Sequence, residues 1–589
     1  MTAENHPRKQ RWAGCFAGIR TLSLGRENVW LPAFTFFLLV EVALQWAGGA
    51  FSSEFGGHPD EAAHYVTTLM LRDYMVVPWP SSPMRFAEEY YLHYPKVALG
   101  HWPPFFYIVQ AIWTLLFSAS RPSLLLLMAL LTSGLATSVY VTIRREVCSK
   151  AATVIGLLFL AQPLIQRYSA MVMLEILLAL LSFLAALRFG RFLDKGKWRD
   201  AIGFSIWSML AILTKGNGLM LAVLPPTAIL FSRRFHLLTR LPFWCPAMLV
   251  LVFCGPWYWL TLDLVRNAWQ VETPTLGFAI EAIRYYSYYL VNIFGIGPSF
   301  LVLIGFVVTV VRPWSEKRVE GRWAAAGALL VSVLMFHVVV PSSLEERHLI
   351  IAVPVLLMFL TAGIAWTAGR LPLRRLANDR KVVGMTLAVM LVIGKETFAV
   401  PKKAWHGFGD VAEQLISTTE LQRSVFLVAS DPQGEGMFIS EVAMRERRPG
   451  HIVLRASKTL SRSRWNGETY ELFYNTPEEM MGYLKGIPVG VVVLDVSIPI
   501  EHQTADFRML QETLSAFTQQ WVPVGSYPLT RRGTEYAGAL QVYRLVGHEN
   551  MPIGTIRLDM RPMLNKTIEK QGHLPTEILS GGGTYPPRP

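Results

Sequence analysis

The apolar residues of this chain arrive in blocks of fifteen to more than twenty, without the polar alternation of a surface helix or strand. Wound as helix, blocks of that length match the hydrocarbon thickness of a bilayer. The pattern predicts about eleven membrane spans, at 29–47, 122–143, 151–166, 175–187, 200–214, 219–231, 243–262, 289–311, 323–340, 349–369 and 382–399. A further apolar run, 104–118, reaches only about 22 Å as a helix, against a core of about 30 Å. It is expected as an interfacial or re-entrant helix within one large loop, residues 48–121. After Pro401 the apolar runs shrink to five to seven residues. There 424–429, 451–455, 489–495 and 540–545 read as strands, and 435–446, 477–485 and 505–517 as helices. That order predicts a small α/β domain with a mostly parallel sheet. The stretch Gly434-Glu435-Gly436 lacks the G-x-G-x-x-G spacing of a dinucleotide site.

The fold class expected is therefore a polytopic α-helical membrane protein with a C-terminal α/β soluble domain. Residues 1–28 form a basic N-terminal segment and 29–400 the membrane module. Residues 401–570 form the α/β domain, and the Gly- and Pro-rich 571–589 a disordered tail. Charge orients the module. Loops 144–150, 188–199, 232–240, 312–322 and 370–381 hold twenty Lys and Arg, whereas 166–175, 214–218, 263–288 and 341–348 hold five. By the positive-inside rule the first set and the N-terminus are cytoplasmic, which puts loop 48–121 and the C-terminal domain on the outer, periplasmic side. Were 104–118 a span, every later basic loop would fall outside.

Composition narrows the function. With 52% hydrophobic and 16% charged residues the chain is neither disordered nor an ordinary cytosolic enzyme. Its net charge of +13 would suggest nucleic acid if it formed one patch, but the positive residues are dealt out between spans, and no nucleic-acid partner is expected. Cys15, Cys148, Cys245 and Cys254 form no CxxC pair, so neither a zinc motif nor a disulfide framework is indicated.

The informative charges are those on the outer side beside spans, where ionisable groups mark function. Five stretches carry them: HPDEAAHY (58–65), HWPP (101–104), RYSAMVMLE (167–175), TKG (214–216) and EERH (345–348). Each alone also reads as a helix start, a tight turn or an interfacial anchor. Asp60 and Glu61 suit the positive end of a helix and equally suit a general base. The Arg and His of the last stretch suit a lipid phosphate. Two adjacent acids and scattered histidines leave a divalent cation open, with no diagnostic spacing. No other cofactor is indicated.

Taken in order, these stretches resemble the C-type integral-membrane glycosyltransferases. Within them they are most similar to the branch of the bacterial aminoarabinose transferases that modify lipid A and of the protein O-mannosyltransferases. The resemblance covers roughly residues 29–400. It implies a multi-pass enzyme of the bacterial inner membrane that transfers a sugar, with inversion, from a polyprenyl-phosphate donor to a hydroxyl of a lipid, protein or glycan acceptor. Asp60 takes the position of the family's first-loop base, with Glu61 beside it, and Glu175 that of the second acid. The growing charge on the lipid phosphate calls for cations: Arg347 and Lys215 first, then His101, His348 and Lys96. The lipid A branch usually has Lys directly before its Pro-Pro, where this chain has His101-Trp102; the mannosyltransferases do carry a His there. The alternative is a polytopic transporter or lipid-linked-sugar flippase, which would place ionisable groups near mid-bilayer. Among charges inside the spans, Glu41 stands out.

Overall fold

A computed structural model of the chain describes residues 29–571 except 78–81, 99, 270–273, 317–318, 374–375, 423, 464–469, 488, 532–535, 549–553 and 560–566. The predicted basic segment 1–28, and the predicted disordered tail beyond residue 571, lie outside the described residues.

The helices of the first two-thirds are α1 (Trp30–Ala47), α2 (Pro59–Val76), α3 (Pro83–His93), α4 (Phe105–Leu116), α5 (Arg121–Ile143), α6 (Ser149–Ala161), α7 (Pro163–Ser169) and α8 (Glu175–Lys195). They continue with α9 (Trp198–Ile212), α10 (Leu224–Ser232), α11 (Leu241–Trp269), α12 (Leu276–Asn292), α13 (Ile296–Ser315), α14 (Gly321–Val339), α15 (Val353–Ala368) and α16 (Asn378–Phe398). Among the described residues seven helices are long and apolar enough to cross a bilayer, eight if the bent pair α6–α7 is one span. The other predicted places also hold helix, but α9 and α10 are short and α16 carries charged residues at both ends.

Two predicted spans are interrupted. The expected 151–166 bends by 62° between α6 and α7, because Gln162 must be extended before Pro163. The expected 289–311 divides into α12 and α13 at Gly295, whose φ of +78° is open to glycine and strained for other residues. The apolar run 104–118 forms α4, twelve residues long, which turns Phe106, Tyr107, Gln110 and Thr114 inward. Small residues let helices approach closely. A Cβ on Gly305 of α13 would collide with the Phe359 carbonyl of α15, and one on Gly363 of α15 with the Leu301 carbonyl of α13.

The C-terminal region contains α17 (Phe408–Ser417), β1 (Val425–Ala429), α18 (Pro432–Arg445), β2 (Ile452–Arg455), α19 (Pro477–Gly486), β3 (Val489–Asp495), α20 (Ala505–Ala516), β4 (Trp521–Arg531) and β5 (Tyr536–Leu545). The sheet order is β2-β1-β3-β5-β4. β1 pairs in parallel with β2 and β3, whereas β5 is antiparallel to both β3 and β4. The mostly parallel sheet expected from sequence is thus half parallel, closed by an antiparallel hairpin. β4 escaped the sequence reading because Pro523, Gly525, Ser526 and Pro528 read as turn residues; at a sheet edge a strand tolerates them.

This domain does not hang free. Phe55, Tyr65, Leu69, Tyr90 and Tyr94 of the first loop share one hydrophobic core with Phe426, Phe438, Val442 and Leu454 of the sheet and α18. The Glu54 carboxylate accepts hydrogen bonds from the backbone N–H groups of Gly407 (3.0 Å), Phe408 (3.2 Å) and Gly409 (2.9 Å), capping α17. Arg448 holds Asp73 of α2 through Nε at 2.8 Å and Nη2 at 3.2 Å.

Candidate active site

Chain breaks at one end of the bundle position the charges. His58 caps α2: its Nδ1 accepts the Asp60 N–H at 3.1 Å, with Pro59 in the first turn. On the other side of the ring, Nε2 faces Glu345 Oε2 at 3.6 Å. Glu175 opens α8. Lys215, extended at φ −154°, links α9 to the short 3-10 helix Gly216–Ala222. Arg347 lies in the turn Glu346–Ala352 that leads into α15.

These four elements converge. Arg347 Nη1 donates to Asp60 Oδ2 at 3.1 Å and lies 3.6 Å from Glu175 Oε1. Its Nη2 donates to Glu345 Oε1 at 2.8 Å. Lys215 Nζ donates to Glu175 Oε1 at 2.9 Å. Asp60, Glu175, Lys215 and Arg347 are all buried, so the charges compensate one another away from bulk water. Burial opposes ionisation of the Asp60 carboxyl, but His58 and Arg347 outweigh it and hold the group below the ordinary carboxylate range.

A second layer surrounds the cluster. His64, one helical turn after Asp60, is buried, meets the Tyr107 hydroxyl through Nδ1 at 2.9 Å and packs on Trp102 with ring centres 4.4 Å apart. Burial pushes its pKa down to about 4, so it stays neutral. His348 engages the Tyr286 hydroxyl at 2.8 Å and stacks on His337. The His337 Nδ1–H donates to the Val333 carbonyl at 2.8 Å, which leaves Nε2 to accept from Asn217 Nδ2 at 2.9 Å.

Of the residues singled out from sequence, the structure brings Asp60, Glu175, Lys215 and Arg347 together and sets His348 in the layer behind them. It does not bring Glu61, His101 or Lys96 to that cluster. Glu61 points into the loop: Oε1 accepts from Val172 N at 3.1 Å and faces Arg121 at 3.5 Å, while Oε2 accepts from Gly57 N at 3.1 Å. Neighbouring residues on a helix point about 100° apart, so Asp60 and Glu61 serve different partners. His101 lies edge-on to Trp102, with ring centres 6.5 Å apart, and among the described residues its Nδ1 has no hydrogen-bond partner. Burial pushes its pKa down to about 4, which makes it a poor partner for phosphate. Lys96 donates to the Pro432 carbonyl of the α/β domain at 3.1 Å. Sequence reasoning passed over His58, His64 and Glu345, which all lie inside the quoted stretches. Tyr286, Asn217 and His337 carried no local signal.

No three His, Cys, Asp or Glu side chains among the described residues form a metal-ligand group. The Arg347 guanidinium lies between Asp60 and Glu175, its Nη1 3.1 Å from the one and 3.6 Å from the other.

Glu61→Gln is expected to weaken folding by about 3–5 kcal/mol, the cost of breaking a buried pair. Thermal unfolding reads the loss, and turnover per folded molecule stays unchanged; a fall in turnover with normal unfolding would return Glu61 to the reaction.

Residues 101–259 match the family described as dolichyl-phosphate-mannose-protein mannosyltransferase, a segment that contains Glu175 and Lys215. The fold is similar to that of ArnT from Cupriavidus metallidurans in the apo state, at 14% identity and TM-score 0.53, covering 88% of this chain and 98% of that one. It is also similar to the Archaeoglobus fulgidus oligosaccharyltransferase in its apo form, at 13% identity and TM-score 0.51, covering 87% of this chain and 75% of that one. No curated protein matches the sequence significantly. Segment 101–259 is thus similar to a mannosyltransferase family, and the fold to those of ArnT and the oligosaccharyltransferase.

Proposed function

We propose that the protein transfers a sugar from a polyprenyl-phosphate donor to an acceptor hydroxyl on the outer face of the bacterial inner membrane, with inversion at the anomeric carbon. The observation that carries this reading is the buried Asp60–Arg347–Glu175–Lys215 cluster at the ends of spans. A transporter would be expected to hold such groups near mid-bilayer.

In the proposed reaction the acceptor oxygen attacks the anomeric carbon while its proton passes to Asp60. The bond from that carbon to the phosphate oxygen breaks, and the lipid phosphate leaves with the electron pair. Lys215 has N–H donors beyond the one given to Glu175, and Arg347 lies next to it, so both suit the growing negative charge. In the free protein Asp60 is tied to Arg347. A donor phosphate competes for that guanidinium and so makes Asp60 more basic only when substrate is bound. Glu175 fixes Lys215 and Arg347 in place. An apolar cavity of about 440 Å³, lined by Leu290, Phe294, Phe300, Leu303, Leu330 and Phe359, begins one turn past Tyr286 and suits part of a prenyl chain.

The test is mass spectrometry of envelope lipids and glycoproteins from cells lacking the gene. One sugar mass should vanish and return with the wild-type chain. An unchanged set of envelope glycans overturns the reading.

A further inference from the structure

Lys96 directs attention to a second cluster, on the opposite side of α2 from Asp60. Its side chain lies against Gly436 of α18, and so does Ala62, which is two residues past Asp60 and more than half a turn round the helix. Beneath it, buried Glu435 binds Arg455 Nε at 2.8 Å and accepts from Ser457 through N at 3.0 Å and Oγ at 2.6 Å. Those contacts engage both oxygens of the Glu435 carboxylate. Lys458 stands beside the same group and donates to the Ser463 carbonyl at 3.0 Å. Among the described residues, neither the Lys96 nor the Lys458 ammonium is ion-paired, and each gives one hydrogen bond to a backbone carbonyl. Across α2, Asp60 is paired with Arg347; Asp506, which accepts the Tyr470 hydroxyl at 2.7 Å, keeps its charge on the Lys458 side.

We propose that Lys96, Arg455 and Lys458 form an anion site at the seam between the first loop and the α/β domain, which holds a phosphate or carboxylate group on the acceptor. The inference rests on the transferase reading for its link to an acceptor, though not for the site itself. Among the described residues, Lys96, Arg455 and Lys458 face the Glu435 and Asp506 carboxylates, an excess of one positive charge that suits a further anion. Burial, followed by repulsion from Arg455, pushes Lys96 down to about 7 and Lys458 down to about 8, a cost that a bound anion removes. The site is separated from the donor cluster by about the width of helix α2, about 10 Å. An acceptor anchored there would present a hydroxyl to Asp60 from the side away from the lipid phosphate. It also gives the α/β domain a task, since Arg455 and Lys458 come from it and Lys96 from the membrane module.

The test is reductive methylation of lysines in the full chain in phosphatidylcholine nanodiscs near pH 7.5, read by mass spectrometry with and without inorganic pyrophosphate. Labelling should slow about threefold at Lys96 and about eightfold at Lys458, the fall in neutral amine at that pH when an anion raises each pKa by about one. Exposed Lys402 should not change. In Lys458→Gln the protection of Lys96 should shrink, and the reverse in Lys96→Gln. Protection that appears instead on exchange to phosphatidylglycerol nanodiscs assigns the anion to a lipid headgroup. Unaltered labelling in both arms, or protection of Lys96 that survives Lys458→Gln in full, overturns the site. Native mass spectrometry of the same sample with polyprenyl phosphate separates the two ideas. Binding of that lipid without pyrophosphate protection sinks the anion site alone; protection without lipid binding sinks the donor reading alone.

Discussion

Asp60→Asn should abolish sugar transfer while leaving the protein inserted and folded. The substitution keeps the shape of the side chain and removes its ability to take a proton. Positioned general bases contribute about a hundred- to ten-thousand-fold, and a loss of that size is expected in turnover at saturating donor and acceptor. Folding should persist because Arg347 keeps Glu345 at 2.8 Å and Glu175 at 3.6 Å. Thermal unfolding of the variant checks this, and near-normal transfer by it removes Asp60 as the base. The pH profile gives an independent check. The Asp60 carboxyl is held below its ordinary range, so it stays ionised as pH falls past about 3.9, where an unperturbed aspartate would take its proton. At low donor concentration, where kcat/KM reports the free protein, transfer should therefore lose no activity to protonation of the base between pH 5 and pH 8, and an acid limb of kcat/KM within that range would contradict the assignment.

Arg347→Ala should damage both folding and donor use, and Arg347→Lys should separate the two. Arg347 is the shared partner of Asp60, Glu175 and Glu345. Its removal leaves buried carboxylates uncompensated, at a cost of about 3–5 kcal/mol, which thermal unfolding and insertion yield would register. Lysine retains the charge but loses the planar fork that reaches several carboxylates at once. Arg347→Lys is therefore expected to fold and to show a raised KM for the lipid donor, about tenfold for each 1.4 kcal/mol of lost phosphate contact, with little change in KM for the acceptor. Equal effects on both substrates would place Arg347 in support of the scaffold only.

Membrane helices, the break in chain texture near residue 401 and the five charged stretches could all be read along the chain, because each is a local property. A block of apolar residues finds its solvent in lipid wherever its neighbours lie, and a short loop keeps its lysines whatever packs beside it. The limits of local reading show at particular residues. Gln162-Pro163 bends a predicted span through backbone sterics that hydropathy does not register. Pro523 and Pro528 made an edge strand look like a turn.

Pairing was decided only in three dimensions. Asp60 and Arg347 are 287 residues apart and meet at 3.1 Å, while Glu61, one residue from Asp60, faces Arg121 and the backbone of Val172. Sequence marks both acids as candidates, and the rotation of α2 in the packed bundle chooses between them. Lys96 is the same case: its sequence neighbours placed it with the donor, and the docking of the α/β domain placed it against Pro432 and Gly436. The amino-acid sequence by itself thus determined which segments are apolar helices of membrane-spanning composition and where the charged stretches fall between them. The tertiary structure decided which of those charges neutralise one another, because burial makes an unpaired charge costly and packing alone decides which groups come within reach.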